Sequence, residues 1–148
     1  MVKLDTRQVG RCGELLVQYF LLKHGVESAP LTTDAGIDLV AYPGIGGKPL
    51  TIQVKTSSHL GPVNDKWLLW QLPEDCPADY IAAVDLIRNK FWFIKTEVFK
   101  HIARPVANGQ LRLWWSLPGY ESKGSKRKEV DFKEYEMEVI VPKVLKSE

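Results

Sequence analysis

Two apolar segments of the sequence, residues 37–42 and 50–56, predict neighbouring β-strands that carry three polar side chains. Asp38 lies near the start of the first segment, and Gln53 and Lys55 lie two residues apart in the second. Because side chains alternate along a strand, Gln53 and Lys55 share one face, about 7 Å apart. We expect Asp38 to reach the same side. A carboxylate, an amide oxygen and an amine together suit metal-assisted hydrolysis of a phosphodiester.

These polar groups match the preferences of a hard divalent cation. Mg²⁺ binds oxygen ligands, keeps several waters, and takes one or two carboxylates together with substrate phosphate. Asp38, the side-chain amide oxygen of Gln53 and the main-chain carbonyl of Val54 supply three such oxygens. Lys55 can orient a metal-bound water or offset charge on the scissile phosphate. Asp34 in the preceding loop is an alternative ligand, and an ordinary polar sheet face is the alternative interpretation of the whole pattern.

A further carboxylate, Glu14, lies in a segment whose pattern predicts a helix over residues 7–24. Asp5 or Thr6 can cap this helix, and Gly25 can end it. Glu14 would add a second carboxylate to the site. Apolar residues at three-to-four spacing predict the buried stripe of the helix, which consists of Val9, Cys12, Leu16, Tyr19, Phe20 and the terminal Lys23.

Two glycines beside Glu14 indicate a close contact of this helix. Gly10 and Gly13 lie inside the predicted helix, where each costs roughly 0.5–1 kcal/mol relative to alanine. Close approach of a strand or of a phosphate backbone explains such a cost, and Arg7 or Arg11 can then hold a phosphate. The alternative interpretation is an ion pair between Arg11 and Glu14 on a solvated helix face.

The remaining segments predict the rest of the architecture. Residues 80–87 and 91–94 predict a second pair of strands. A short helix over residues 96–103 is capped by Thr96, and residues 137–141 form a final strand. The order of helix, strands, helix and strand predicts an α/β fold, in which a mixed central sheet is flanked by helices.

Taken together, Glu14, the Gly-x-Asp step ending at Asp38, and the run from Gln53 to Lys55 resemble the active-site signature of the PD-(D/E)XK nuclease superfamily. The resemblance implies a restriction-endonuclease-like core over about residues 7–103. Glu14 resembles the helix acid of this family, Asp38 the metal-bridging acid and Lys55 the catalytic lysine. Gln53 stands where the family usually has Glu or Asp, and one homing endonuclease branch is similar in using a Gln-x-Lys site.

This resemblance implies a divalent-metal-dependent DNA endonuclease of the homing or restriction type, with Mg²⁺ as cofactor and Mn²⁺ as a substitute. The implied metal ligands are Glu14, Asp38, Gln53 and Val54. The implied partners are double-stranded DNA and a second subunit, because cutting both strands with one site per chain requires at least a homodimer. Since glutamine brings no charge, an inactive nuclease-fold module that binds nucleic acid or mediates assembly is the alternative. An α/β domain with no nucleic-acid role is the third possibility.

Length and charge restrict the possible partners. The chain has 148 residues and a formal net charge of +2, which suits a single domain with no overall basic character. We expect a nuclease-like core followed by an extension over about residues 104–148. Contacts to nucleic acid must come from local patches, and the clearest lies in a glycine- and serine-containing loop with the cations Lys123, Lys126, Arg127 and Lys128. A solvated surface loop is the alternative.

Cysteine and aromatic residues add less. Cys12 and Cys76 lie far apart and lack metal-ligand spacing, which favours reduced thiols in a cytoplasmic protein. No apolar run reaches the roughly 18 residues of a membrane span, so we expect no membrane partner. Tryptophans can stack on unpaired bases, but Trp92, between two phenylalanines, favours packing in the core or at an interface.

Overall fold

The computed structural model describes residues 2–33, 35–44, 47–58, 66–122, 124 and 127–145. The helices in these ranges are α1 (Thr6–Lys23), α2 (Thr96–Ile102) and α3 (Met137–Leu145), and a 3₁₀ helix spans Glu129–Tyr135. The strands are β1 (Glu27–Pro30), β2 (Leu39–Tyr42), β3 (Leu50–Ser57), β4 (Trp67–Pro73), β5 (Tyr80–Asp85), β6 (Lys90–Lys95), β7 (Arg104–Val106) and β8 (Gln110–Ser116).

Five strands form a central mixed sheet in the order β1-β2-β3-β5-β6. Its middle strand, β3, is antiparallel to β2 and parallel to β5, and the outer pairs are antiparallel. Between β3 and β5 the chain leaves this sheet to form β4, which joins β8 and β7 in a second, antiparallel sheet. The predicted α/β architecture with a mixed central sheet and flanking helices is confirmed.

Alternation along the central strands separates two apolar cores. Ile52 and Val54 of β3 face one core, together with Val17 and Leu21 of α1 and the apolar side of α3. Trp92 of β6 is fully buried in the other core, beneath the second sheet and α2. The central sheet is therefore covered by α1 and α3 on one face and by the second sheet on the other.

The ends of α1 agree with the prediction, whereas its buried side differs. Asp5 accepts a hydrogen bond of 2.9 Å from the Gln8 amide and forms a capping box, and Gly25 follows the helix with a φ of +78°. Tyr19, predicted to be buried, is 62% exposed, and Leu21 is buried instead. Apolar residues surround much of this helix, so neighbouring stripes fit the same spacing and tertiary contacts select between them.

The predicted final strand is wrong, because residues 137–141 open the helix α3. The β-branched residues of this segment favour a strand locally. They also belong to a helical pattern that extends past the predicted strand and packs on the central sheet: Met137, Ile140, Val141, Val144 and Leu145. Burial of this stripe against the sheet outweighs the local preference.

The prediction contained none of the strands of the second sheet. Leu68, Trp70 and Leu72 of β4 are buried at every second position, as in a strand with one covered face. The residues between them include Trp67 and Leu69, which are also apolar, so the alternation is masked in the sequence. The prediction that Thr96 caps α2 is also wrong, because Thr96 is the first residue of the helix.

Both cysteines are free, as expected for reduced thiols, with Cys76 buried and Cys12 partly so. Within the described ranges, no helix combines the length and the apolarity needed to cross a membrane.

A close contact at Gly13 holds α1 against β3. A Cβ built on Gly13 would lie 1.9 Å from Oγ1 of Thr56 and 3.1 Å from its Cβ. The glycine therefore permits the approach of the helix to the strand, one of the two explanations that the sequence offered. At Gly10, a Cβ would meet no atom within 4 Å.

We expect Gly13→Ala to lower the free energy of unfolding by about 1–2 kcal/mol, because overpacking against Thr56 exceeds the gain in helix propensity. Gly10→Ala is the matched control, and we expect it to raise the free energy of unfolding by about 0.5–1 kcal/mol. Urea denaturation of both variants measures the difference. Equal stabilisation by the two alanines would contradict the close contact.

Candidate active site

An open cleft of about 480 Å³ lies along the face of β3 that points away from α1. Gln53 and Lys55 both line it, as the alternation of strand side chains requires. The remaining walls come from the chain before β2 and from the end of β4 with the loop that follows, and consist of Ala35, Gly36, Leu72, Pro73, Asp75, Cys76 and Pro77.

Gln53 is buried and incompletely satisfied. The residue is 6% exposed, and its Oε1 atom has no hydrogen-bond partner in the part of the chain that the structure describes. A buried polar atom without a partner is costly and rare in native proteins, so it requires an explanation. Because Gln53 lines the cleft and this oxygen has no donor among the described residues, it is a candidate ligand for a cation.

Lys55 lies further along the same face and is partly buried. Within the described part of the chain, its ammonium group forms no ion pair with a carboxylate. A positive charge on the wall of a cleft, without a neutralising protein partner, attracts an anion such as a phosphate.

Asp38 lies beside Gln53 and is hydrogen-bonded to the backbone of the residue before Gln53 and of the residue after it. The Asp38 amide donates to the Ile52 carbonyl at 2.9 Å, and the Asp38 carboxylate accepts from the Val54 amide at 2.7 Å. The amide and carbonyl of a strand residue point in the same direction. The carbonyl of Val54 is therefore directed towards the edge of β3 at which Asp38 lies.

Glu14 lies on the opposite side of the central sheet from the cleft, on α1. Its carboxylate accepts a hydrogen bond of 2.9 Å from Arg11. The ion-pair interpretation of these two residues is therefore confirmed. Gly13 contacts Thr56, which is the neighbour of Lys55 in β3. Glu14 is the next residue after Gly13.

The oxygen donors of this region fit a hard divalent cation. Asp38 brings a carboxylate, Gln53 an amide oxygen with no partner among the described residues, and Val54 a main-chain carbonyl. Such a set resembles the mixture of carboxylate, amide and carbonyl oxygens that hard cations take in proteins. Among the described residues, no group of three or more His, Cys, Asp or Glu side chains is placed to hold a metal, so any such site depends on the neutral oxygens.

Asp75 is a cleft residue that the sequence analysis missed. It lies in the loop after β4, is exposed, and brings a carboxylate to the wall that faces Gln53 and Lys55. The same loop is tied to the opposite wall, because the Cys76 thiol donates to the Gly36 carbonyl at 3.5 Å. No local pattern marks Asp75 as special, since only the return of β4 to the central sheet brings it here.

The predicted phosphate contacts are only partly described. Arg7 and Arg11 are exposed on the first turns of α1, and Lys128 is exposed before the 3₁₀ helix. Arg127 is partly buried and donates to the Ile102 carbonyl at 2.7 Å. Three predicted residues, Asp34, Lys123 and Lys126, lie outside the described ranges.

The geometry can be compared with known proteins. No family model matches the sequence, and a search of curated proteins gives no relative. A bacterial homing endonuclease, I-Ssp6803I, superposes with a TM-score of 0.64 at 18% identity, over 97% of this chain and 94% of that one. A Holliday junction resolvase, Hjc from Archaeoglobus fulgidus, has a TM-score of 0.50 at 20% identity, over 70% of this chain and 82% of that one. The chain has the restriction-endonuclease-like fold.

The two matches cover different shares of this chain. The match to the homing endonuclease covers nearly the whole chain and so includes most residues after α2. The second sheet therefore belongs to the shared architecture of these two chains. The match to the resolvase is confined to a smaller part of this chain.

The bond from Val54 to Asp38 gives Asp38 a structural role as well. We expect Asp38→Ala to lower the free energy of unfolding by roughly 1–3 kcal/mol, because it leaves the Val54 amide unpaired. Asp38→Asn retains an acceptor oxygen, so we expect a loss of less than about 1 kcal/mol. Thermal or urea unfolding distinguishes them, and equal stability of both variants would show that the bond contributes nothing.

Proposed function

We propose that this chain is a divalent-metal-dependent DNA endonuclease that hydrolyses phosphodiester bonds. The observation that carries the proposal is the buried Oε1 atom of Gln53 in a residue that shares a cleft with Lys55, neither group being paired with a protein partner within the described ranges. The nuclease fold of the two structural neighbours supports it. Double-stranded DNA is the proposed substrate, and a homodimer is the proposed minimum assembly for cutting both strands.

In this proposal Asp38, Gln53 and Val54 hold the cation, which is Mg²⁺ or Mn²⁺. When bound, such a cation lowers the pKa of a bound water and offsets charge on a phosphate. The Val54 amide orients the Asp38 carboxylate by donating a hydrogen bond to it. Glu14 is a further proposed ligand. Because α1 packs on the other face of the central sheet, Glu14 would have to leave Arg11 and reach past the end of β3.

Lys55 supplies a fixed positive charge beside the scissile phosphate. Its position on the cleft wall places it on the same strand face as Gln53. A preorganised cation is most effective where charge develops during the reaction, because no solvent must reorganise around it. Arg11, released from Glu14, can contact a neighbouring phosphate of the backbone.

A second candidate function is a DNA-binding module that keeps the fold without catalysis. One specific observation favours it: Glu14 is neutralised by Arg11 and Gln53 is uncharged, which lowers the negative charge of the predicted ligand set. Affinity for a divalent cation falls as the charge of its ligands falls.

We expect Lys55→Met to lower metal-dependent cleavage by roughly 100-fold or more, because it removes a charge from the site of phosphoryl transfer. The measurement is cleavage of a randomised duplex library with Mg²⁺ or Mn²⁺, with the cut ends sequenced. Lys95→Met, on an exposed lysine outside the cleft, is the matched control. Absence of cleavage by the folded wild type with either metal would favour the non-catalytic module.

We expect Gln53→Glu to tighten Mn²⁺ binding by roughly tenfold, because it adds a negative charge to the ligand set. Titration calorimetry without DNA measures this affinity directly. Gln71→Glu adds the same charge on the outer side of the second sheet, beside Arg112, and we expect no change. Identical affinities for wild type and Gln53→Glu would show that Gln53 does not bind the cation.

A further inference from the structure

The second sheet has a buried side and an outward side. We call the outward side the outer face. The buried side packs on the central sheet. The outer face is made by the alternate positions of β4, β8 and β7, and the register of the strands brings their side chains into three neighbouring rows. The residues of the outer face that bear on its function are Trp67, Leu69, Gln71, Arg104, Arg112 and Trp114.

Two guanidinium groups lie over one aromatic ring on this face. The Cζ atom of Arg104 is 5.3 Å and that of Arg127 is 5.1 Å from the centre of the Trp114 ring. The three side chains border a shallow pocket of about 210 Å³, with Trp67 at its rim. Stacking on a ring holds each guanidinium in place while leaving its N–H groups free to donate.

The charge of this cluster is not neutralised by protein. Within the described ranges, no carboxylate forms an ion pair with Arg104, Arg112 or Arg127. Burial, and then repulsion from Arg104, lower the pKa of Arg127. Among the described residues, its buried Nη1 atom has no hydrogen-bond partner, and the same is true of Nε of Arg112. An anion between Arg104 and Arg127 would relieve the repulsion between them.

Strand β4 runs from the arginine pocket to the cleft of the candidate active site. Leu72 and Pro73 at the end of β4 line the cleft that contains Lys55, whereas Trp67 at the start of β4 borders the arginine pocket. A seven-residue strand spans roughly 20 Å, which is the length of about six base pairs of duplex DNA. A duplex bound in the cleft would therefore reach the arginines if it followed β4.

We propose that the outer face of the second sheet binds duplex DNA, with a backbone phosphate between Arg104 and Arg127. This inference rests on the proposed function, whose substrate it extends beyond the cleft. Antiparallel strands fit the grooves of duplex DNA, and arginine is suited to both phosphates and base edges. A second copy of the chain is the less suitable occupant, because a two-fold interface would bring the same unpaired arginines together.

The test measures binding of a fluorescein-labelled, 30-base-pair duplex of random sequence by anisotropy, over a series of salt concentrations and in EDTA. Omission of metal keeps the result independent of cleavage, so failure of the proposed catalysis would not affect it. Arg104→Glu is the main variant, because Arg104 is exposed and lies over the Trp114 ring. We expect at least about fivefold weaker binding and a salt slope smaller by about one.

Lys23→Glu is the matched control, since it makes the same charge change on α1, on the far side of the central sheet. We expect Lys23→Glu to bind the duplex as the wild type does. We expect Arg104→Lys to retain most of the wild-type affinity and salt slope. Equal binding by Arg104→Glu and Lys23→Glu would overturn the proposal. So would a change in subunit assembly in Arg104→Glu, measured by light scattering, with DNA binding unchanged, because the face would then be a contact between copies.

Discussion

The position of β3 is the constraint on which the rest of this structure depends. The strand is hydrogen-bonded to β2 on one edge and to β5 on the other, so its backbone cannot shift without breaking two ladders. Its apolar face is held against α1, where Gly13 lets the helix approach Thr56. The opposite face then has to turn Gln53 and Lys55 towards the cleft, because successive side chains of a strand alternate.

The uncharged Gln53 has a physical consequence for the site. A buried carboxylate without a partner is far more costly than a buried amide. The chain therefore keeps an oxygen donor at this position without the full cost of a second negative charge near Asp38. A neutral amide also attracts a cation less strongly than a carboxylate would. At this position, the side chain that favours stability without metal therefore lowers metal affinity.

The second sheet depends on a separate polar contact for its position. Arg88, at the turn between β5 and β6, forms ion pairs with Asp85 and with Glu129 of the 3₁₀ helix. Its hydrogen bond with Glu129 raises the pKa of Arg88, so this cation stays charged. Trp115 of β8 donates to the same Glu129 at 3.4 Å. The C-terminal part of the chain and the second sheet are therefore anchored to the central sheet at one buried cluster.

Local patterns were sufficient to predict α1 with its caps, the strands β2 and β3, and the shared face of Gln53 and Lys55, because each depends on residues close in sequence. The sequence also indicated the fold through the spacing of Asp38 and Lys55. Only the tertiary structure decided that residues 137–141 form a helix, that Glu14 pairs with Arg11, and that a second sheet exists. It alone brought Asp75 to the cleft and Arg104 to Trp114. Those contacts join distant segments, and burial against a distant partner is not encoded in the local periodicity of either one.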